Sequence, residues 1–179
     1  MKISSFYWTP ERIDHIARHG VKPEEVEEAA FDDRHHIVQR LKRATAYPER
    51  MIYRLLGQAQ SGRYLTVIFL PKGRGRAYVV TARDMTPAGG TILREEVKLP
   101  ESVEELAAFF DRTDTQEMEW EDAEEVEFKR PELVSVSVRL PKDDLLAIRK
   151  AAAKLGIGYT TYIRMVLRKA ANDYRTTRG

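Results

Sequence analysis

Residues 134–140 have the sequence VSVSVRL, and this stretch decides the fold predicted for the end of the chain. Apolar residues occupy every second position: Val134, Val136, Val138 and Leu140. Alternation with β-branched residues is typical of a strand that has one buried face. Pro141 should end the strand and begin a helix, because a proline at the first helical position gives up no hydrogen bond.

Two helices are predicted after this strand. Apolar residues recur at helical spacing from Lys142 to Leu155 and again from Tyr159 to Tyr174. Gly156 and Gly158 separate the two helices, as glycine commonly does after a helix C-terminus. The predicted apolar face of the second helix consists of Ile163, Val166, Leu167 and Ala170.

A strand and two helices of this size cannot bury an adequate core alone. The strand also has two unpaired edges. A homodimer solves both problems if two copies of the strand pair antiparallel over four helices. A tetramer is the other possible oligomeric state. The alternative is that the strand belongs to an ordinary mixed sheet, but no partner strand follows it in the sequence.

The polar face of the predicted ribbon suits DNA. A two-stranded ribbon fits the major groove, where arginine recognises guanine and serine either donates or accepts. The N-terminus of the second helix offers free N–H groups to a phosphate. The predicted DNA-binding residues are Ser135, Ser137, Arg139, Gly158, Tyr159 and Thr160.

The charges are segregated along the 179 residues, although the net charge is only +2. Residues 1–98 carry +5, residues 99–128 carry −11 and residues 129–179 carry +8. Basic blocks favour a polyanionic partner such as nucleic acid. The acidic block is either a solvated connector or a cover for a basic surface.

Several classes of site are excluded or disfavoured. The chain has no cysteine, which excludes disulfides, thiolate zinc sites and cysteine nucleophiles. His35 and His36 are adjacent and would point to opposite faces of a strand, so they are a poor metal pair. We therefore expect no metal and no cofactor. No apolar run is long enough to span a bilayer and the N-terminus has no signal-peptide pattern, so we expect a cytoplasmic protein without a membrane partner.

The N-terminal part is predicted to be a compact α+β unit. Helices are expected at 10–19 and 23–31, and strands at 50–57, 63–70 and 76–83, with 35–42 as a further strand. Short connections that contain glycine favour antiparallel hairpins. The predicted domains are residues 1–90, an acidic helical arm at 91–128, and a C-terminal βαα domain at 129–179.

The C-terminal motifs carry a family resemblance. SVSVRLP and AAAKLGIGYTTYIR resemble the ribbon-helix-helix family, and more closely the CopG/BrnA-type antitoxins of type II toxin–antitoxin systems. KLPESVEELAAFFDRTDTQEMEW is similar to the N-terminal arm of such antitoxins, an acidic helix followed by Phe-x-x-Thr-Asp-Thr. The resemblance covers about residues 97–175 and implies a dimeric DNA-binding regulator.

The N-terminal motifs resemble a partner family. FYW, ARHGV, EEVEEAAFDD, LLGQAQSGRYLTVIF and YVVTAR are similar to BrnT-family toxins, which have the RelE-like ribonuclease fold. The resemblance covers about residues 3–86 and implies metal-independent RNA cleavage, in which the 2′-OH attacks the adjacent phosphate. The implied catalytic candidates are Arg83, Arg63, Arg50 and His19, and helix capping is the alternative role for His19.

One departure from the toxin family leaves the enzyme in doubt. BrnT-like toxins continue after the arginine motif into a helix with Glu and Tyr, whereas residues 87–90 here are Pro-Ala-Gly-Gly, a loop signal. The tyrosines that could replace the missing groups are Tyr47, Tyr53, Tyr64 and Tyr78.

Two functions follow: a dimeric DNA-binding autorepressor with a neutralised or degenerate toxin domain, or an endoribonuclease inhibited in cis by the acidic arm. A third possible function is that of a two-domain protein whose basic faces only confer solubility. The acidic arm could cover the toxin-like domain of its own chain or that of a neighbouring chain.

Overall fold

The structure is a computed structural model that describes residues 1–41, 51–85, 100, 102–116, 118–130, 132 and 134–177. The chain divides into two compact units, residues 1–131 and 132–179. The first is a mixed α+β unit, as predicted, and it includes the described residues of the acidic arm, which the sequence division set apart. No helix in the described ranges combines the length and the apolar character needed to cross a membrane.

Two helices open the first unit. Helix α1 spans Pro10–Ala17, and the Thr9 hydroxyl accepts a hydrogen bond from the Arg12 backbone N–H at its start (3.4 Å). It is two residues shorter than predicted, which places His19 in the turn that Gly20 closes with φ of 67°. Helix α2 spans Pro23–Phe31, the predicted range.

The main sheet has six strands in the order β2-β6-β5-β4-β3-β7. Its strands are β2 (Ser5–Tyr7), β3 (Ile37–Leu41), β4 (Tyr53–Gln58), β5 (Tyr64–Gly73), β6 (Arg76–Asp84) and β7 (Trp120–Asp122). Strands β3 to β6 form an antiparallel meander, as predicted, and β2 lies parallel to β6. A small parallel pair joins β1 (Lys2–Ile3) to β8 (Glu127–Phe128).

The β5–β6 hairpin differs from the sequence prediction in its length. The predicted strand ended at Leu70, whereas β5 continues to Gly73 and the turn lies at Arg74 and Gly75. These two residues have φ of 52° and 69°, the backbone that a tight two-residue hairpin turn requires. The register also shifts between Ile68 and Phe69, so β6 carries an extra residue opposite that step.

The sheet is covered on both faces. Helix α2 packs on β4 and β5, and Gly57 permits the contact because a Cβ there would lie 2.5 Å from the Ala29 carbonyl oxygen. The other face is covered by the acidic arm, whose helix α3 (Val103–Arg112) begins at the Ser102 cap. The apolar residues of this second core include Ile68, Val80, Leu106, Ala107 and Phe110, all buried.

The acidic arm also contributes two strands that the sequence analysis did not predict. In β7, Trp120 is paired with Leu41 of β3, and in β8, Phe128 is paired with Ile3 of β1. These strands have three and two residues, too few for a period-two pattern to be recognisable. The predicted arm was helical only. The arm is instead part of both sheets.

The C-terminal unit contains helices α4 (Lys142–Lys154) and α5 (Tyr159–Thr177), close to the predicted ranges. Residues 134–140 belong to no strand in the single chain, so the strand predicted there stays a prediction that requires a second copy. A β-strand needs a second strand as its hydrogen-bonding partner. The side chains predicted for the buried face are exposed here: Val134 81%, Val136 79% and Val138 66%. Val166 and Leu167 of α5, at 47% and 62%, are also exposed.

Candidate functional site

Two histidines near the end of α1 face the same side of the helix axis. His15 and His19 are four residues apart, the spacing that brings side chains together on one helical face. Their ring centroids are 5.6 Å apart. His15 is 8% exposed, and the side chain of His19 is 25% exposed. The pair therefore forms a mostly buried imidazole surface beside the sheet.

Strand β6 supplies two further polar side chains to this surface. Thr81 and Arg83 are two residues apart, so they share one face of the strand. Both contact the end of α3, which identifies that face as the one the acidic arm covers. Thr81 is buried, at 1% exposed, and Arg83 is half-buried.

The carboxylate of Asp111 lies at the centre of these residues. One oxygen, Oδ1, lies 3.1 Å from His19 Nε2 and accepts a hydrogen bond from Thr81 Oγ1 at 2.8 Å. The other, Oδ2, lies 3.2 Å from His15 Nε2. We call the set of His15, His19, Thr81, Arg83 and Asp111 the Asp111 cluster. The acidic arm thus places one negative group against two histidines of the N-terminal helices.

The end of α3 and the segment that follows it present backbone carbonyls to two arginines. Arg83 donates to the Asp111 carbonyl (3.3 Å) and to the Thr113 carbonyl (2.9 Å). Arg54 donates to the Thr115 carbonyl (2.8 Å), and its guanidinium lies 4.5 Å from the centroid of the Trp120 ring. The last carbonyls of a helix have no partner within the helix and carry partial negative charge. The Thr-Asp-Thr motif of the arm, residues 113–115, therefore accepts hydrogen bonds from both guanidinium groups.

A third arginine borders the cluster. Arg12 is 4% exposed, donates to the Val80 carbonyl (3.2 Å) and lies 3.8 Å from the Glu104 carboxylate of the arm. Outside the cluster, Arg40 pairs with Glu121 of the arm in strand β7. Three arginines of the N-terminal residues (Arg12, Arg40 and Arg54) thus have polar partners in the arm beyond the cluster itself.

Burial changes the titration of two of these groups. Desolvation lowers the pKa of His15 below its usual value; Asp111 opposes this effect, whereas Arg12 and His19 add to it. Desolvation also lowers the pKa of Arg54 to about 10, with Asp114 acting in the opposite direction. Both side chains are therefore partly shielded from water in the folded chain.

The predicted catalytic residues are only partly brought together. His19 and Arg83 both belong to the Asp111 cluster. Arg63 lies elsewhere: it donates to the carboxylate of Asp84 (2.9 Å) and to the carbonyls of Gly20 (2.7 Å) and His19 (3.3 Å). Arg50 lies outside the described residues.

The tyrosines considered as substitutes for the missing acid and base are dispersed. Tyr53 is buried and its hydroxyl donates to Glu125 of the arm at 3.4 Å. Tyr64 is 57% exposed, and Tyr78 stacks on Tyr7. Tyr47, like residues 87–90, lies outside the described residues. The partners of Tyr53 and Tyr78, which are Glu125 and Tyr7, lie outside the Asp111 cluster.

The predicted DNA-binding residues are all exposed in the C-terminal unit. Ser135, Ser137 and Arg139 alternate with the exposed valines. Gly158 accepts the first hydrogen bond of α5, from the Tyr162 N–H (3.0 Å), so Tyr159 and Thr160 occupy the first turn of that helix. These positions are compatible with the predicted contacts and stay predictions.

Sequence reasoning missed most members of the Asp111 cluster. His15 could have been found from its i, i+4 spacing with His19. Thr81 could have been found from its alternation with Arg83 in YVVTAR. Asp111 had no such signal, because it is one of twelve acidic residues in the segment 99–128 and contacts residues more than 90 positions away.

Comparison with known proteins finds a similarity, and it includes the covering segment. Residues 98–170 match the family model described as the CopG antitoxin of type II toxin-antitoxin systems. No curated protein matches the chain. The match spans the acidic arm, including α3 and the Thr-Asp-Thr motif, and most of the C-terminal unit. The part of the chain that covers His15, His19 and Arg83 is therefore similar to an antitoxin of type II toxin–antitoxin systems.

Proposed function

We propose that this chain is a toxin–antitoxin fusion protein that acts as a dimeric, sequence-specific DNA-binding autorepressor. In this proposal the N-terminal residues are a BrnT-type, RelE-like toxin domain that the acidic arm neutralises in cis. The observation that carries the proposal is the position of Asp111, which an antitoxin-like segment places between His15 and His19.

Neutralisation in cis is supported by the kind of groups that the arm presents. The −11 charge of residues 99–128 favours binding to the +5 segment before it. An antitoxin carboxylate and two antitoxin carbonyls contact the histidines and Arg83, and these are the oxygen types that would compete with RNA phosphate oxygens. Tethering in one chain raises the effective concentration of the arm to roughly the millimolar range.

DNA binding through the C-terminal unit is supported by its charge and its exposed apolar row. The segment 129–179 carries +8, as expected of a surface that binds a polyanion. Val134, Val136 and Val138 are exposed in the single chain, and pairing with a second copy would bury them. The same pairing would set Ser135, Ser137 and Arg139 on the outer face of a ribbon that fits the major groove.

Gel-shift titration of the full chain with the DNA upstream of its own gene tests this function. We expect salt-sensitive binding that prefers this DNA over random duplex. Arg139→Ala should weaken binding to the preferred site by about 1–3 kcal/mol, roughly 5- to 150-fold, and reduce the preference, because a guanine contact is lost. Arg175→Ala removes the same charge from the exposed end of α5 and should keep the preference. Equal affinity of the full chain for upstream and random DNA would contradict the proposal.

A second function is favoured by the composition of the Asp111 cluster. Two histidines, Arg83 and Thr81 surround a single carboxylate on a surface that resembles a ribonuclease toxin in sequence. Arginine stabilises the developing charge on a phosphate, and histidine can give and take a proton near neutral pH. With the arm displaced, these groups would form a metal-independent endoribonuclease site.

Loosening the arm in the full chain tests for this activity. Phe110→Ala with Asp111→Ala removes an arm anchor and the carboxylate, and we expect it to release RNA cleavage in a buffer that contains EDTA. Adding Arg83→Ala should abolish that cleavage. Glu124→Ala, an exposed change on the same arm, should leave the chain as inactive as the wild type. If the loosened variant cleaves no RNA, the ribonuclease function is contradicted. The function proposed for the chain is then that of an autorepressor whose toxin domain is degenerate.

A further inference from the structure

The Asp111 cluster contains a ligand set that the proposed function does not use. One ring nitrogen of His15, one of His19 and one carboxylate oxygen of Asp111 all lie within 4.8 Å of one another. His15 Nε2 and His19 Nε2 are both buried, and neither has a hydrogen-bond partner in the described part of the chain. The carboxylate oxygens of Asp111 lie 3.2 Å from His15 Nε2 and 3.1 Å from His19 Nε2.

These distances suit a zinc ion. Zn²⁺ binds His nitrogen and Asp oxygen at about 2.0–2.2 Å, which separates ligand atoms by roughly 3.4 Å in a tetrahedron. The N···O separations, 3.2 Å from His15 to Oδ2 and 3.1 Å from His19 to Oδ1, are close to that value. The two ring nitrogen atoms lie within 4.8 Å of each other, so they need to approach by about 1.4 Å at most. An ion would satisfy both orphaned nitrogen atoms, which the carboxylate alone does not do.

The surroundings support the same ligand set. Thr81 donates a hydrogen bond to the carboxylate (2.8 Å), the kind of outer contact that orients a metal ligand. Arg83 donates to the Asp111 backbone carbonyl and not to its carboxylate, so the charge of the carboxylate is left for a cation.

We propose that His15, His19 and Asp111 form a zinc site that ties the acidic arm to the N-terminal helices. Two ligands come from the end of α1 and the turn after it, and the third comes from α3 of the antitoxin-like arm. The ion would therefore hold the arm in its covering position, and loss of the ion would weaken that contact. This regulatory consequence rests on the proposed neutralisation in cis, whereas zinc binding itself rests only on the cluster.

Zinc titration of the full chain tests the site without any nucleic acid. The protein is stripped with EDTA and titrated with Zn²⁺ by calorimetry at pH 7.5, and with Co²⁺ by visible absorption. We expect one equivalent of Zn²⁺, tetrahedral Co²⁺ bands in the visible range, and a thermal midpoint that rises with added zinc. Because binding is measured directly, its failure is distinct from a failure of DNA binding or of RNA cleavage.

Matched variants identify the ligands. Asp111→Asn keeps the shape of the side chain, and His19→Gln changes the more exposed histidine; each should abolish stoichiometric binding while the far-UV circular dichroism stays unchanged. The double variant His35→Gln/His36→Gln is the control, because it removes the other two histidines of the chain and should bind like the wild type. The proposal is overturned if the wild type binds no zinc, if the control loses it, or if Asp111→Asn and His19→Gln retain it.

Discussion

At the scale of single residues, Arg63 shows how a basic side chain can hold elements of the fold together without lying in the Asp111 cluster. Its guanidinium joins the Asp84 carboxylate to the carbonyls of His19 and Gly20, and Glu25 lies 3.4 Å away. This network ties the end of β6 to the turn after α1, which is the turn that carries His19. Arg63 therefore supports the position of His19 through the backbone carbonyl of that residue.

The Arg63–Asp84 pair makes stability depend on acid pH. The hydrogen bond from Arg63 lowers the pKa of Asp84 below its ordinary value of 3.8. A lowered pKa in the folded state means that the contribution is complete above about pH 4 and is lost as pH falls through the folded-state pKa. Asp84→Asn should reduce the free energy of unfolding at pH 7 by less than about 1 kcal/mol, because Asp84 is largely exposed, and should have no effect near pH 2.

Urea unfolding at both pH values measures this difference. Asp14→Asn is a suitable control, because Asp14 forms only an exposed pair with Arg18, and it should show little change at either pH. An Asp84→Asn effect of the same size at pH 2 and pH 7 would contradict an electrostatic role for the pair.

At the scale of elements, α3 is the part of the arm that holds it on the sheet. Its buried residues Leu106, Ala107 and Phe110 share one side of the helix, and they pack with Ile68 and Val80 of the sheet. The anchor is apolar, and the polar contacts of Asp111 and Thr113 follow at the helix end. Burial of the apolar side supplies most of the free energy, whereas the polar end determines which residues are covered.

Phe110→Ala should therefore destabilise the first unit by about 3–5 kcal/mol, because it leaves a cavity where a fully buried ring was. Phe109→Ala is the matched control: the same substitution at a neighbouring, half-buried position should cost clearly less. Urea denaturation of the full chain measures both variants. Equal losses for the two positions would mean that the packing of α3 on the sheet is not what holds the arm.

At the scale of the whole molecule, the exposed valine row predicts the state of association. Val136→Asp places a charge on the face that a second strand would bury, and should convert a dimer into a monomer and abolish binding to the preferred DNA. Ser137→Asp introduces the same charge on the opposite face and should leave the dimer intact while it weakens DNA binding. Sedimentation equilibrium measures the association. A Val136→Asp variant that stays dimeric would show that the dimer does not form through this strand.

The sequence by itself determined the features that depend on local patterns. Helical spacing located α1, α2, α4 and α5 to within a few residues, and β-forming runs located the strands of the meander. The charge count located the acidic segment and its contrast with its neighbours. These signals are local because periodicity and composition report which side of an element is buried and how a segment is charged.

Only the tertiary structure decided what the acidic segment contacts. Asp111 meets His15 and His19 across more than 90 residues of chain, and β7 and β8 join strands that lie near the start of the chain. Periodicity does not specify a partner, and one carboxylate among twelve has no distinguishing local pattern. The selection is made by the packing of Phe110 on the sheet, because that packing fixes where the end of α3 and its polar groups come to lie.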